Sequence, residues 1–308
     1  MQMEQIQAPK RVIALGFFDG IHIGHLALID KAKARAKELG AIPSIYTFDR
    51  HPASVISGTP VPLITSPLGR IEEVRRLSGV QDVIFGKFDD ALIHTSWQDF
   101  ISEILVKQYN ACHIITGVNN RFGYRGEGTA ERLQAECRRL GIGCDCIDNV
   151  TIDGIVVSST YIRSLIAAGD MERAAEFLGH PYSVSGVVGH GRKVGRTIGV
   201  PTVNILLPEH IQKPPFGVYA AKVAVGRKGY LAVTNIGTRP TFDDSNLETV
   251  EPHLLDFDGD LYGKFIRVEL YKYLRPEKKF QNTEELKAAI AKNVQQTREF
   301  FEETLLKG

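Results

Sequence analysis

Gly16-Phe17-Phe18-Asp19-Gly20-Ile21-His22-Ile23-Gly24-His25 decides how the first half of this chain is read. It follows a short apolar run, Val12–Leu15. It precedes a segment in which Leu26, Ile29, Ala32, Ala36 and Leu39 recur at steps of three and four before Gly40. The run predicts a buried strand, and the recurrence predicts a helix from Gly24 to Leu39 with Gly40 as its stop. The ten residues therefore lie where a strand hands over to a helix N-terminus. Such a terminus exposes unpaired N–H groups and the positive end of the helix dipole, so it suits phosphate. Gly16, Gly20 and Gly24 let the backbone approach closely. His22 and His25, one helical turn apart, can both donate to one oxyanion, and the preceding Phe18-Asp19-Gly20 strengthens that reading. Donors fixed on an α-phosphate lower the barrier to nucleotidyl transfer, with the protein positioning rather than forming a covalent intermediate. A helix cap plus a surface histidine is the plainer alternative.

Outward from this stretch, strand and helix signals alternate. Ile42–Phe48 reads as extended, Pro67–Leu77 as helical and Asp82–Phe85 as extended. Ser96 with Asp99 resembles a capping box that opens an apolar helix to about Val106. Cys112–Thr116 reads as extended, and Thr129 caps a helix that runs through Leu140 to Gly141. This alternation predicts a mostly parallel sheet covered on both faces, with ligand sites on the loops after strand ends. Near Pro181 the helical period stops. Ser183–Val188, Thr202–Leu207, Val218–Val225, Tyr230–Asn235, Val250–Phe257 and Phe265–Tyr273 read as short strands, and Asn282–Leu306 returns to helix. Closely spaced strands predict a small barrel or sandwich. The expected class is therefore α/β plus β, with domains 1–182 and 183–308.

The chain has 308 residues, 43% of them apolar and 24% charged, and a net charge of +1. That suits two soluble cores and gives no bulk attraction to nucleic acid or anionic membrane. The N-terminus lacks an apolar segment of signal-peptide length, and no run of about 18 apolar residues is present to span a membrane. Cys112, Cys137, Cys144 and Cys146 form no Cys-x-x-Cys pair and read as free thiols of a cytoplasmic protein.

Three further stretches carry chemistry. Ser158-Ser159-Thr160-Tyr161-Ile162-Arg163 opens a Leu- and Ala-rich helix, and its hydroxyls and guanidinium suit phosphate or an ordinary cap. Gly191, Lys193, Gly195 and Arg196 belong to a glycine-rich basic segment suited to a polyphosphate, ahead of Gly199-Val200-Pro201-Thr202-Val203-Asn204. Thr202 and Asn204 offer hard oxygens on one side of an extended chain, as magnesium prefers. Glu251, beside apolar neighbours on an expected strand, suits a base toward an alcohol, and equally a surface position.

The motifs Gly-Arg-x-x-Gly-x-Pro-Thr-x-Asn, Asn-Ile-Gly-x-x-Pro-Thr-Phe, His-Leu-Leu-Asp-Phe, Asp-Leu-Tyr-Gly and Leu-Arg-Pro-Glu occur in that order. With His-x-Gly-His and Ser-Ser-Thr-x-x-Arg, they make the chain resemble the prokaryotic bifunctional riboflavin kinase/FAD synthetase family from about Val12 to the last helix. The resemblance implies a Rossmann-like nucleotidyltransferase domain, then a small Greek-key β-barrel followed by a helix. It implies ATP-dependent conversion of riboflavin to FMN in the second domain, adenylylation of FMN to FAD in the first, and Mg2+ for both. It assigns Thr202 and Asn204 to Mg-ATP, Glu251 to the ribityl hydroxyl, and Arg275 and Glu277 to flavin. His22, His25, Ser159, Thr160 and Arg163 go to the adenylyl site, as do the phosphate-loop residues, with Asn119 toward flavin. Asn119 and Asn120 stand where the family has an acid and an aromatic, Val203 replaces an alanine, and Pro252, Arg50 and Tyr161 are smaller departures. These leave open a riboflavin kinase whose first domain is weakened or serves as a scaffold, and, further off, a flavin- or nucleotide-binding regulator without turnover. A homo-oligomer also stays open.

Overall fold

The computed structural model describes residues 9–189, 201–240 and 246–307. They form two compact units that divide between Ser159 and Thr160.

The first unit contains β1 (Arg11–Leu15), α1 (Ile23–Leu39), β2 (Ile42–Phe48), α2 (Pro52–Ser57), α3 (Pro67–Ser78) and β3 (Asp82–Gly86). The short helices α4 (Asp90–Ile93) and α5 (Trp97–Asp99) lead into a π-helix, Phe100–Gln108. There follow β4 (Ala111–Gly117), α6 (Ala130–Leu140), β5 (Gly143–Ile147), and a hairpin of β6 (Thr151–Ile152) and β7 (Ile155–Val156). Strands β3-β2-β1-β4-β5 make one sheet, in that order and all parallel.

Period-two alternation on β1 explains why both faces of this sheet are covered. Val12 and Ala14 pack with Leu28, Ile29 and Ala32 of α1 and Val74 of α3. Ile13 and Leu15 point the other way, into Phe100, Ile101 and Leu105 of the π-helix and Leu133 of α6. Both sets are fully or almost fully buried, and each buried Leu or Ile contributes roughly 1.5–3 kcal/mol. The strand order reverses direction between β1 and β4, so the loops after those two strands open onto the crevice where such sheets take ligands.

The second unit opens with α7 (Ser159–Ala168), whose first residue marks the division, and α8 (Met171–Leu178). Then come β8 (Tyr182–Val187), β9 (Ile205–Leu206), β10 (Gly217–Val225), β11 (Lys228–Pro240), β12 (Asn246–Leu254), β13 (Phe265–Pro276) and α9 (Thr283–Lys307). The antiparallel order β8-β13-β10-β11-β12-β9 makes a nearly closed barrel. Within it, β13-β10-β11-β12 has the spatial order of a Greek key. Val250 and Leu254 of β12 are buried, whereas Glu251 and His253, between and beside them, are not, as alternation along one strand requires.

Four local expectations change. Leu39 is 48% exposed although it ends the apolar stripe of α1. The helix expected after Ser96 becomes π-helical from Phe100. The strand expected over Thr202–Leu207 shrinks to Ile205–Leu206, because Val203 N–H is drawn to Pro252 O and Asn204 O accepts from Gly189 N–H. β12 stops at Leu254, since Asp256 turns the chain at φ 55°. Among the described residues, no helix is long and apolar enough to cross a membrane.

Candidate functional site

The loop after β1 is wound tightly. Phe18 and Ile21 take positive φ (57° and 43°) and are buried, and Gly20 sits at φ 81° with Ile64 so close that a Cβ there would lie 2.9 Å from it. Such backbone costs about 1–3 kcal/mol per strained residue and persists only where the surroundings fix it. Asp19 supplies that fixing. It is 1% exposed, and its Oδ1 accepts from the N–H groups of Ile64 (2.8 Å) and Thr65 (3.1 Å). Gly20 N–H donates to Thr65 Oγ1, and Ser159 Oγ donates to Asp19 O at 3.0 Å. Asp19 is thus a brace of the loop.

His22 is the N-cap of α1: its Nδ1 accepts from His25 N–H at 3.2 Å. That bond keeps the proton of the neutral ring on Nε2, which makes Nε2 the donor. The His22 and His25 rings stack at 3.5 Å, and Gly24 leaves room for the His22 ring, since a Cβ there would lie 3.3 Å from it. Gly16 gives similar room to the Phe18 ring. His25 Nδ1 is buried with no hydrogen-bond partner among the described residues. Burial first, then the neighbouring His22 and Arg70, hold the His25 pKa well below the usual 6.5, so the ring is neutral near pH 7.

Arg70 of α3 was not expected here. It is fully buried, with Nη1 donating to Thr47 Oγ1 (2.9 Å) and Phe48 O (2.8 Å) and its guanidinium 4.2 Å from the Phe17 ring centroid. Thr47 Oγ1 in turn donates to Phe17 O at 2.7 Å. Burial lowers the Arg70 pKa to about 10, so it remains a cation beside the loop. Its sequence signal was its place on the buried stripe of α3 with Glu73 and Val74, three and four residues on.

Asn119 lies on the loop after β4, exposed, with Nδ2 donating to Asn149 Oδ1 at 3.2 Å. Asn120 Nδ2 donates to Thr116 Oγ1 at 2.9 Å. Thr160 and Arg163 belong to the second unit, where Arg163 Nη2 donates to Thr160 Oγ1 at 3.1 Å.

In the second unit a cavity of about 330 Å³ gathers Thr202, Asn235, Glu251, Arg275 and Glu277, four of them expected site residues. Its floor is the outer face of β10–β13, and α9 adds Leu286, Ile290 and Asn293. Thr249 Oγ1 donates to Glu251 Oε1 at 3.1 Å, and Asn235, paired with Glu251 in register, donates Nδ2 to Glu277 Oε1 at 3.3 Å. Gly237 makes the Glu277 position feasible, because a Cβ there would fall inside contact distance of the carboxylate. Burial lowers the Arg275 pKa, which still leaves a cation.

A second cavity, of about 310 Å³, is lined by Val188, Pro201, Leu254, Phe257, Asp260 and Tyr262 among others. Thr202 lines both cavities. Asn204 lines neither, yet its Oδ1 is shut from solvent with no partner among the described residues. An unpaired buried acceptor costs about 1–3 kcal/mol, so this oxygen suits a cation. Gly191, Lys193, Gly195 and Arg196 lie outside the described residues.

Two family models match the chain: FAD synthetase over residues 4–161 and riboflavin kinase over residues 178–301. The bifunctional riboflavin kinase/FMN adenylyltransferase of Bacillus subtilis is 36% identical over 95% of this chain and 93% of its own length. The Listeria monocytogenes protein of that name is 37% identical with the same coverage, and the Escherichia coli K12 one 36% identical over 96% and 95%. A solved structure from Streptococcus pneumoniae, described as a macrolide-efflux protein, superposes with a TM-score of 0.82 and 29% identity over 96% of each chain.

Proposed function

We propose that this chain, which belongs to the bifunctional riboflavin kinase/FMN adenylyltransferase family, carries out both steps of flavin cofactor synthesis. Riboflavin and ATP give FMN and ADP in a kinase module, residues 183–308. FMN and ATP give FAD and pyrophosphate in an adenylyltransferase module, residues 1–182. The observation that carries the reading is the pair of cavities meeting at Thr202, one of which also holds Glu251, Arg275 and Glu277.

In the kinase, riboflavin occupies the cavity under α9 and ATP the neighbouring one, so the γ-phosphate passes Thr202. Glu251, its carboxylate fixed by Thr249, accepts the proton of the terminal ribityl hydroxyl. The alkoxide oxygen bonds to the γ-phosphorus as the bond to the β-phosphate oxygen breaks and ADP leaves. Arg275 and Glu277 hold the flavin. Thr202 and Asn204 would hold Mg2+, and Asn204 Oδ1, without a partner among the described residues, supports that fit. Bound there, the ion would offset triphosphate charge.

In the adenylyl site a phosphate oxygen of FMN bonds to the α-phosphorus of ATP and pyrophosphate leaves. The helix N-terminus, His22 Nε2–H and His25 donate to the α-phosphate oxygens, while Gly16, Phe18, Asp19, Gly20 and Gly24 shape the loop. Thr160 and Arg163 are assigned to phosphate from their place in the Ser-Ser-Thr-x-x-Arg motif, with Ser159 Oγ tied to Asp19 O. Asn119 is assigned to flavin. Four free thiols support a cytoplasmic setting. Incubation with riboflavin and Mg-ATP, followed by flavin separation, tests the reading. FMN and then FAD are expected; FMN alone, even under reducing conditions, leaves only the kinase.

A further inference from the structure

We propose that Asn293 of α9 is a positioning residue for riboflavin, acting through Arg275. This rests on the reading of the 330 Å³ cavity as the riboflavin site. The stripe of α9 that packs toward the barrel reads Leu286, Ile290, Asn293, Thr297 and Phe301, at helical steps of three and four. Leucine would fit the third place. Asparagine there is a poor helix former and is only 2% exposed, so it must be offset by hydrogen bonds.

One of those bonds stays within the helix, from Asn293 Nδ2 to Gln296 Oε1 at 3.2 Å. The other crosses to β13: Arg275 Nε donates to Asn293 Oδ1 at 3.1 Å. Arg275 Nη1 donates to Pro276 O at 3.0 Å, and the guanidinium carbon lies 5.6 Å from the Phe280 ring centroid. Nε and Nη1 are thereby occupied, and the Phe280 ring neighbours the guanidinium. Nη2 has no hydrogen-bond partner among the described residues and belongs to a side chain that lines the cavity. A guanidinium is a planar fork, so holding two of its nitrogens sets the direction of the third. Asn293 therefore aims the Nη2 edge at an acceptor of the flavin and need not touch the flavin itself.

The test is steady-state kinetics of FMN formation by the full chain. Asn293→Leu should fold as well as wild type and raise KM for riboflavin about tenfold or more, the worth of a hydrogen bond to a charged group, with a smaller change in kcat. KM for ATP, and FAD formation from supplied FMN, should stay at wild-type values. Asn293→Asp keeps an acceptor for Nε and should stay within about threefold of wild type. In an Arg275→Ala background, Asn293→Leu should add nothing further. If the leucine variant melts early, Asn293→Ala takes its place in the same cycle. An unchanged riboflavin KM, an aspartate variant as impaired as the leucine one, or additive losses with Arg275→Ala would each overturn the proposal. A wild-type chain that forms no FMN overturns the reading of the cavity and the proposal with it.

Discussion

Gly237→Ala adds one methyl group beside the proposed kinase centre. Built on the β11 backbone, that Cβ would lie 2.7 Å from Cδ and 3.1 Å from Oε2 of Glu277, and nearer still to Oε1. Carbon atoms in contact sit about 3.5–4.0 Å apart, so the carboxyl group must retreat by roughly 1 Å. Its hydrogen bond from Asn235 Nδ2 is already 3.3 Å long and does not survive that retreat. Loss of this exposed hydrogen bond is worth about 0.5–1.5 kcal/mol, which corresponds to roughly 2–12-fold in kcat/KM for FMN formation. The fold should be spared. Glu277 is exposed, and alanine is better tolerated than glycine inside a strand by roughly 0.5–1 kcal/mol. The assay is FMN formation beside a thermal melt. Glu277→Ala serves as the companion variant, because once the carboxylate is gone Gly237→Ala should cost nothing more. Wild-type FMN formation by Gly237→Ala, or an equal loss in the Glu277→Ala background, would rule out a role for the Gly237–Glu277 approach.

His22→Ala should lower FAD formation strongly and leave FMN formation largely intact, and equal loss of both would argue against separate sites. It should also cost about 1 kcal/mol of stability, through loss of the α1 cap, read from denaturant unfolding. Asn204→Leu replaces a buried oxygen that has no partner among the described residues by an apolar group, so the melting temperature should hold or rise while the Mg2+ concentration needed for FMN formation increases. An unchanged Mg2+ requirement would remove Asn204 from the ion. His25 has a folded pKa well below its unfolded value of about 6.5, so the unfolded chain takes up a proton first as pH falls. Stability should be level with respect to this group above pH 6.5 and decline below it, by at most about 1.4 kcal/mol per pH unit until the folded pKa is reached. His25→Leu should remove that slope, and identical slopes in both proteins would contradict the burial argument.

The alternating strands and helices of the first unit were legible because local signals agree with the tertiary demand. The Val12–Leu15 run, the three-and-four spacing of α1 and Gly40 at φ 60° all point one way. The π-helix was not legible, since Phe100, Ile101 and Leu105 are spaced as an α-helix would space them and the widening appears only in the hydrogen bonds. In the second unit the strand positions were readable, but their ends depend on cross-chain bonds such as Val203 N–H to Pro252 O, which no local pattern carries. Thr202, Glu251, Arg275 and Glu277 were legible as separate motifs. That they line one cavity follows from the barrel register, which pairs Asn235 with Glu251 and Val218 with Arg275. Arg70 and Asn293 escaped because a polar residue on a helix reads as solvated, whereas both sit on buried stripes.

Glu251 is proposed as the base of a kinase centre separate from the adenylyl loop. Glu251→Gln keeps the size of the side chain and removes its capacity to take a proton. FMN formation by the full chain should fall about 10²–10⁴-fold, with FAD formation from supplied FMN at the wild-type rate. Near-normal conversion of riboflavin to FMN in that variant would contradict that role.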